Sequence, residues 1–203
     1  MSATRPIETK EVPEAVGILA RAFEADDMFR FVLPDASTRV AWLRFVMGAL
    51  VALNQPHGLM LTNDGERMQA VITLSPPGTY ALSYGRLARY LLDPRSWRAG
   101  APSPRFVTKT LRLLALIDRL HMKEPHYYVE CLGVDPDHQG KGLGRSLLEP
   151  VLAMADRDGV PTYLETSKPS NLSFYRAFGF DVTNEVSLSG GYPPLWTLVR
   201  PTR

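Results

Sequence analysis

Apolar positions recur at helical spacing early in the chain. Val12, Ala15, Val16, Leu19, Ala20 and Phe23 fall on one face, and Pro13 sits where a first turn tolerates it. The pattern predicts an amphipathic helix, preceded by a short strand within Thr4–Thr9. Leu33-Pro34-Asp35-Ala36-Ser37 interrupts it. A second helix, apolar on several sides, is expected from about Thr38 to Leu53, ended by Pro56-His57-Gly58. Leu59 to Thr62, the turn Asn63-Asp64-Gly65 and the alternating Arg67 to Leu74 read as a hairpin, stopped by Pro76-Pro77-Gly78.

Residues 79–123 follow a looser pattern. Two helical stretches, Tyr80 to Leu92 and Arg105 to Leu120, flank a break that contains proline and glycine. Arg86, Arg89, Arg95, Arg98, Arg105, Arg112 and Arg119 fall here, either as solvated faces or as a basic rim for a phosphorylated ligand. From residue 126 the pattern sharpens. Tyr127 to Val134 is a strand by composition, Asp135-Pro136-Asp137 is a turn, and Leu143, Leu147, Leu148, Val151, Leu152 and Ala155 mark one face of a helix. Pro150 lies inside that helix and should bend it or weaken one turn. Val160 to Thr166 reads as a buried strand. Asn171 to Phe178 reads as a short helix with Ser170 or Asn171 as N-cap, and Phe180–Thr183 and Leu195–Val199 as final strands. Alternating strands and helices imply an α/β core with a right-handed crossover.

At 203 residues the chain is long enough for a full core, and we read 1–203 as one domain with 79–123 as a helical insertion beside the acceptor site. Hydrophobic residues make up 45% and charged residues 22%, which argues against disorder. Lys plus Arg is 23 and Asp plus Glu is 21, so the net charge of +2 gives no case for a nucleic-acid partner. A single cysteine, Cys131, excludes an internal disulfide and a multi-cysteine zinc site, and the histidines have no metal spacing, so no metal is expected. The N-terminal stretch has no apolar core of a signal peptide, and the apolar run Phe45–Leu53 is short of the ~18 residues of a membrane helix. The expectation is a cytoplasmic protein with no membrane partner. Arg5, Arg200 and Arg203 read as solvated terminal charge.

Gln139-Gly140-Lys141-Gly142-Leu143-Gly144-Arg145 joins the strand ending at Val134 to the following helix. Orphan N–H groups and the positive end of the helix dipole favour an anion there, and glycines let a phosphate approach the backbone. A plain flexible turn is the alternative. A Walker A loop fails because Asp135 stands where its first glycine belongs, and the dinucleotide fingerprint fails at Arg145.

The run Leu132-Gly133-Val134-Asp135-Pro136-Asp137-His138-Gln139-Gly140-Lys141-Gly142-Leu143-Gly144 resembles the acetyl-coenzyme A signature of the GNAT N-acetyltransferases. The downstream Asn171, Phe174-Tyr175 and Phe178-Gly179-Phe180 resemble a second element of that family, with Leu164-Glu165-Thr166-Ser167 in the strand between. The resemblance implies a mixed, bent sheet of about six or seven strands flanked by helices, and acetyl-CoA as co-substrate. It places the pyrophosphate on the amides of Gln139, Gly140, Lys141, Gly142, Leu143, Gly144 and Arg145. A backbone N–H within Leu132, Gly133 and Val134 would polarise the thioester, at an edge where two strands splay apart. Tyr175 would be the general acid or, alternatively, a core tyrosine. Asn171 would hold pantetheine or merely cap its helix. Glu130 is the candidate base, or else an outward-facing or salt-bridged strand residue, with Glu24, Asp26 and Asp27 as other acids near the pocket. Cys131 invites a covalent route but reads more simply as a small buried hydrophobe. The acceptor expected is a small-molecule primary amine. A protein N-terminus or lysine, and a non-catalytic acyl-CoA-binding module, remain the alternatives. The resemblance also allows a homodimer, with Leu195-Trp196 either interfacial or in the core.

Overall fold

The structure is a computed structural model that describes residues 4–54, 57–80, 89–90, 92–93 and 103–203. Most of the helix expected over Tyr80–Leu92, with Arg86, Arg95 and Arg98, lies outside the described residues. In chain order the elements are β1 (Thr4–Pro6), a 3-10 turn (Thr9–Glu11), α1 (Val12–Ala22), α2 (Asp27–Val32), α3 (Ala36–Asn54), β2 (Leu59–Asn63) and β3 (Ala70–Ser75). They continue with α4 (Pro104–Leu120), β4 (Tyr127–Val134), α5 (Leu143–Asp158), β5 (Thr162–Thr166), α6 (Pro169–Arg176), β6 (Asp181–Val186) and β7 (Leu195–Arg200).

Among the described residues, seven strands form one mixed sheet in the order β1-β2-β3-β4-β5-β7-β6. Every neighbouring pair is antiparallel except β4 and β5, which run parallel. Helices cover both faces. Ala70, Ile72 and Leu74 of β3 pack with Leu147, Leu148 and Val151 of α5 on one side. Val71 and Cys131 pack with Ile18 and Leu19 of α1 and Leu43 and Met47 of α3 on the other. This explains one departure from the sequence pattern. All six residues of β3 are buried, so the strand starts at Ala70 and is continuously covered rather than alternating from Arg67.

The six apolar positions predicted for α5 are all buried, and the helix runs through Pro150 without a break. The missing N–H orphans a carbonyl on the partly exposed side of the helix, where water can serve it. Helix α2 was not foreseen. It exists because Asp26 caps it, its Oδ1 accepting from the N–H groups of Met28 (3.0 Å) and Phe29 (3.2 Å). Helix α6 starts at Pro169 with Lys168 at the cap, so Ser170 and Asn171 lie in its first turn and neither is the N-cap. The window Ala36–Leu53 of α3 is long and apolar enough to cross a membrane, although the run Phe45–Leu53 alone is not. In this fold it lays Leu43 and Met47, both at 0% exposure, against the core.

Two of the three terminal arginines depart from the expected solvated state. Arg200 is 4% exposed; it donates to both carboxylate oxygens of Asp156 (2.7 and 2.8 Å) and to the carbonyl of Phe178 (3.0 Å). Arg5 makes a two-pronged pair with Glu11 at 2.8 and 2.7 Å. Trp196 lies in the core between β5 and β6.

Candidate active site

The site begins where a ladder ends. β4 and β5 pair through Tyr127–Thr162, Tyr128–Tyr163 and Val129–Leu164, and no further. Beyond that point Cys131 to Val134 keep their β3 partners but have none on β5. The splay implied by the family resemblance is therefore present. Thr73 pairs with Cys131 and Leu74 with Val129, so Glu130 is the extra residue of a β-bulge. Bulges re-aim side chains and are common beside active sites.

The gap between the strands opens into two joined cavities. One, of about 800 Å³, lies under the glycine turn. The other, of about 190 Å³, lies between the sheet and α2, α3 and α4. Phe23, Asp26, Leu132, Asn171 and Tyr175 line both, so they mark the junction.

On the larger side, Asp135 caps the 3-10 turn Pro136–His138, and Gln139 Nε2 donates to the Val134 carbonyl at 3.2 Å. Gly140 and Gly142 take φ of +77° and +79°, which L side chains rarely adopt. A Cβ at either would meet nothing within 4 Å, so the backbone faces open space. Gly142 is the N-cap of α5 and offers no side-chain cap, which leaves the first amides of a 16-residue helix for a ligand. That cradle fits the pyrophosphate of acetyl-CoA, with Gln139, Gly140, Gly142, Leu143, Gly144 and Arg145 lining it. Lys141 does not line the cavity; its Nζ donates to the Asp137 carbonyl at 3.3 Å. Arg21 donates to Asp135 Oδ2 through Nε (3.0 Å) and Nη2 (2.5 Å), tying α1 to the end of β4. Leu132, Gly133 and Val134 form the wall. Gly133 is required there, since a Cβ would lie 2.9 Å from Leu19 Cδ2 and 3.0 Å from Ala22 Cβ.

On the smaller side stand three carboxyl groups, Asp26, Glu130 and Glu165. Burial pushes Glu130 up to about 7, against the pull of Ser75 Oγ, which donates to it at 2.5 Å, and of Thr73. Burial likewise pushes Glu165 up to about 7, against the hydroxyls of Tyr163 and Tyr128. Asp26 is raised by burial too, although Phe29, Ser167 and Met28 bond to it. Of the other acids near α1, Glu24 lines only the larger cavity and Asp27 lines neither. Tyr175 is buried and its phenol is pushed up, so it holds its proton at neutral pH. Asn171 Nδ2 donates to Thr166 Oγ1 at 3.1 Å, which fixes the amide at the junction. Burial pushes the Cys131 thiol up to about 12, and its sulfur lies 4.0 Å from that of Met47 on the α1–α3 face. It is a buried hydrophobe here, not a nucleophile.

Glu165 is the residue that sequence reasoning passed over. Its strand motif was visible, but nothing in the motif says that the strands part just where Glu165 falls.

Residues 110–180 match the Acetyltransferase (GNAT) family. The chain is also similar in structure over its whole length to a crystal structure described as histone acetyltransferase HPA2 and related acetyltransferase from Corynebacterium glutamicum. The TM-score is 0.71 at 20% identity, covering 100% of this chain and 98% of that one. The fold and the matched segment are those of a GNAT acetyltransferase. These likenesses are to acetyltransferases and leave the acceptor open. An N-acetyltransferase of Schizosaccharomyces pombe is 25% identical, covering 92% of this chain and 77% of its own length. N-alpha-acetyltransferase RimI of Mycobacterium tuberculosis is 42% identical over 95 residues, 45% of this chain and 56% of RimI.

Proposed function

We propose that the protein moves the acetyl group of acetyl-CoA to a primary amine of a small molecule, by direct attack within a ternary complex in the cytoplasm. The observation that carries this reading is the joined pair of cavities. A glycine-lined cradle and a carboxyl-lined pocket meet at Tyr175 and Asn171.

Acetyl-CoA supplies the acyl group, already activated as a thioester. The chain's residues do the rest. The amides from Gln139 to Arg145 hold the pyrophosphate, and Asn171 lies along the arm. The unpaired edge at Leu132–Val134 aims a backbone N–H at the thioester oxygen, a fixed donor where negative charge grows. Glu130 takes a proton from the attacking amine, and a carboxyl that titrates near 7 is matched to that work. Tyr175 gives its proton to the departing sulfur. A C–N bond forms and the C–S bond breaks; the nitrogen gives one proton to Glu130, and the sulfur takes one from Tyr175.

The likeness to RimI favours a second reading, transfer to the N-terminus of a protein. We also read the stretch from about Glu124 to Val182 as resembling puromycin N-acetyltransferase, and that reading favours a small-molecule amine. Thiol release from acetyl-CoA against puromycin, polyamines and N-terminal peptides separates the readings. Release with a small amine supports ours. Release with peptides alone supports the second. No release beside tight acetyl-CoA binding would leave an acyl-CoA-binding module.

A further inference from the structure

The smaller cavity has an unusual lining. Its body is apolar: Phe23, Phe29, Leu50, Leu113, Ile117 and the ring of Tyr80 enclose it. Its charged groups are Asp26, Glu130 and Glu165, and no lysine, arginine or histidine lines it among the described residues. Burial in a space of about 190 Å³ opposes the charge of each, which is why all three carboxyls are raised, and Glu130 adds a smaller repulsion at Glu165. One acceptor is left over: Oε1 of Glu165 is buried without a hydrogen-bond partner. A buried carboxylate oxygen with nothing to accept from is costly unless a ligand supplies the donor.

We propose that the acceptor is a primary amine with an apolar body and no carboxylate of its own, an aryl-alkylamine or comparable alkylamine, which enters as the cation and is anchored by Glu165. This rests on the acetyl-transfer reading and names its substrate class. The ammonium supplies the donors and the positive charge that the lining lacks. The apolar body fills the space between α2, α3 and α4. An apolar cavity of roughly 150 Å³ accommodates benzene, so the volume here admits one ring with a short chain. An amino acid would add a fourth carboxylate to these three, with no cation among the described lining residues to receive it. A peptide N-terminus would bring amide groups into a wall of leucine, isoleucine and phenylalanine side chains, where each unpaired amide is penalised.

The test compares 2-phenylethylamine with phenylalanine, which is the same body plus a carboxylate, and with an alanine-initiated peptide. Thiol release from acetyl-CoA and calorimetric binding to the protein are measured side by side. The expected result is a kcat/KM for 2-phenylethylamine on the order of 100-fold above the other two. Glu165→Gln should raise the KM for the amine about tenfold or more while acetyl-CoA affinity holds. Equal or better turnover of phenylalanine or the peptide overturns the proposal and leaves acetyl transfer standing. If no acceptor is acetylated, the binding arm decides. Selective binding of 2-phenylethylamine would keep the recognition and sink the transfer reading. Binding without selectivity, or none, would sink the recognition.

Discussion

At the scale of single residues, Tyr175 at the junction and Glu130 in the smaller cavity hold their protons with different strength. Tyr175 is pushed up by burial and stays protonated, whereas Glu130 is pushed up only to about 7 and exchanges its proton near neutrality. Below that value Glu130 is protonated and cannot accept from the amine. Wild-type kcat/KM should therefore rise as pH passes through about 7. Glu130→Gln should remove that rise and slow transfer by about 10²-fold or more. Glu165 titrates in the same range. Loss of the rise in Glu165→Gln, with Glu130→Gln keeping it, would move the base to β5. Tyr175→Phe should lower kcat by about 10²-fold and leave acetyl-CoA affinity nearly unchanged, because in the proposed mechanism the phenol acts on the leaving sulfur and not on the cradle. Cofactor binding by calorimetry and single-turnover rates give the split.

At the scale of elements, the close approaches decide what the site tolerates. Gly142 sits at φ +79° with open space before it. Gly142→Glu would strain the backbone and put a carboxylate where the cradle receives phosphate, so acetyl-CoA binding should fall at least about tenfold. Intact cofactor affinity in a folded variant would remove the cradle from the site. Gly133 carries a different constraint, the packing of α1 on β4. Gly133→Ala drives a methyl into Leu19 and Ala22 and should cost about 1–3 kcal/mol in denaturant unfolding. These same elements show what the sequence could reveal. The periodic apolar faces of α1 and α5, the hairpin of β2 and β3, and the glycine turn were legible, because each depends on local spacing. Helix α2 was not, since a six-residue helix held by one cap leaves no periodic signal. The bulge at Glu130 and the role of Glu165 were hidden for another reason. The bulge follows from the register of β3 on β4, and the place of Glu165 from where β4 and β5 stop pairing, contacts between segments more than 30 residues apart in sequence.

At the scale of the whole molecule, the C-terminal strand is locked to the far end of α5 from its glycine cradle. Asp156 sits in the last turn of α5, and Arg200 closes β7, so their pair fastens the helix to the sheet. The Arg200 guanidinium, with the Arg203 amide adding a bond, holds the Asp156 carboxyl down at about 2, against an ordinary 3.8. A carboxyl with a lowered folded value stabilises the fold fully above its unfolded value and loses that contribution as pH falls through the folded one. The window for Asp156 is thus about 4 down to 2. Because the Asp156 side chain is 28% exposed, solvent trims the full linkage value to about 1–2 kcal/mol. Asp156→Asn should melt lower than wild type at pH 7, and the gap should close as both are taken from pH ~4 toward pH ~2. A gap that stays constant across that range would mean that Asn costs packing rather than charge. On the proposed mechanism Glu130 and Asp156 titrate for different ends, one setting turnover near neutrality and the other helping to hold the fold above its acid window. Loss of activity below pH 7 should therefore precede any loss of structure, which circular dichroism alongside the rate profile would reveal.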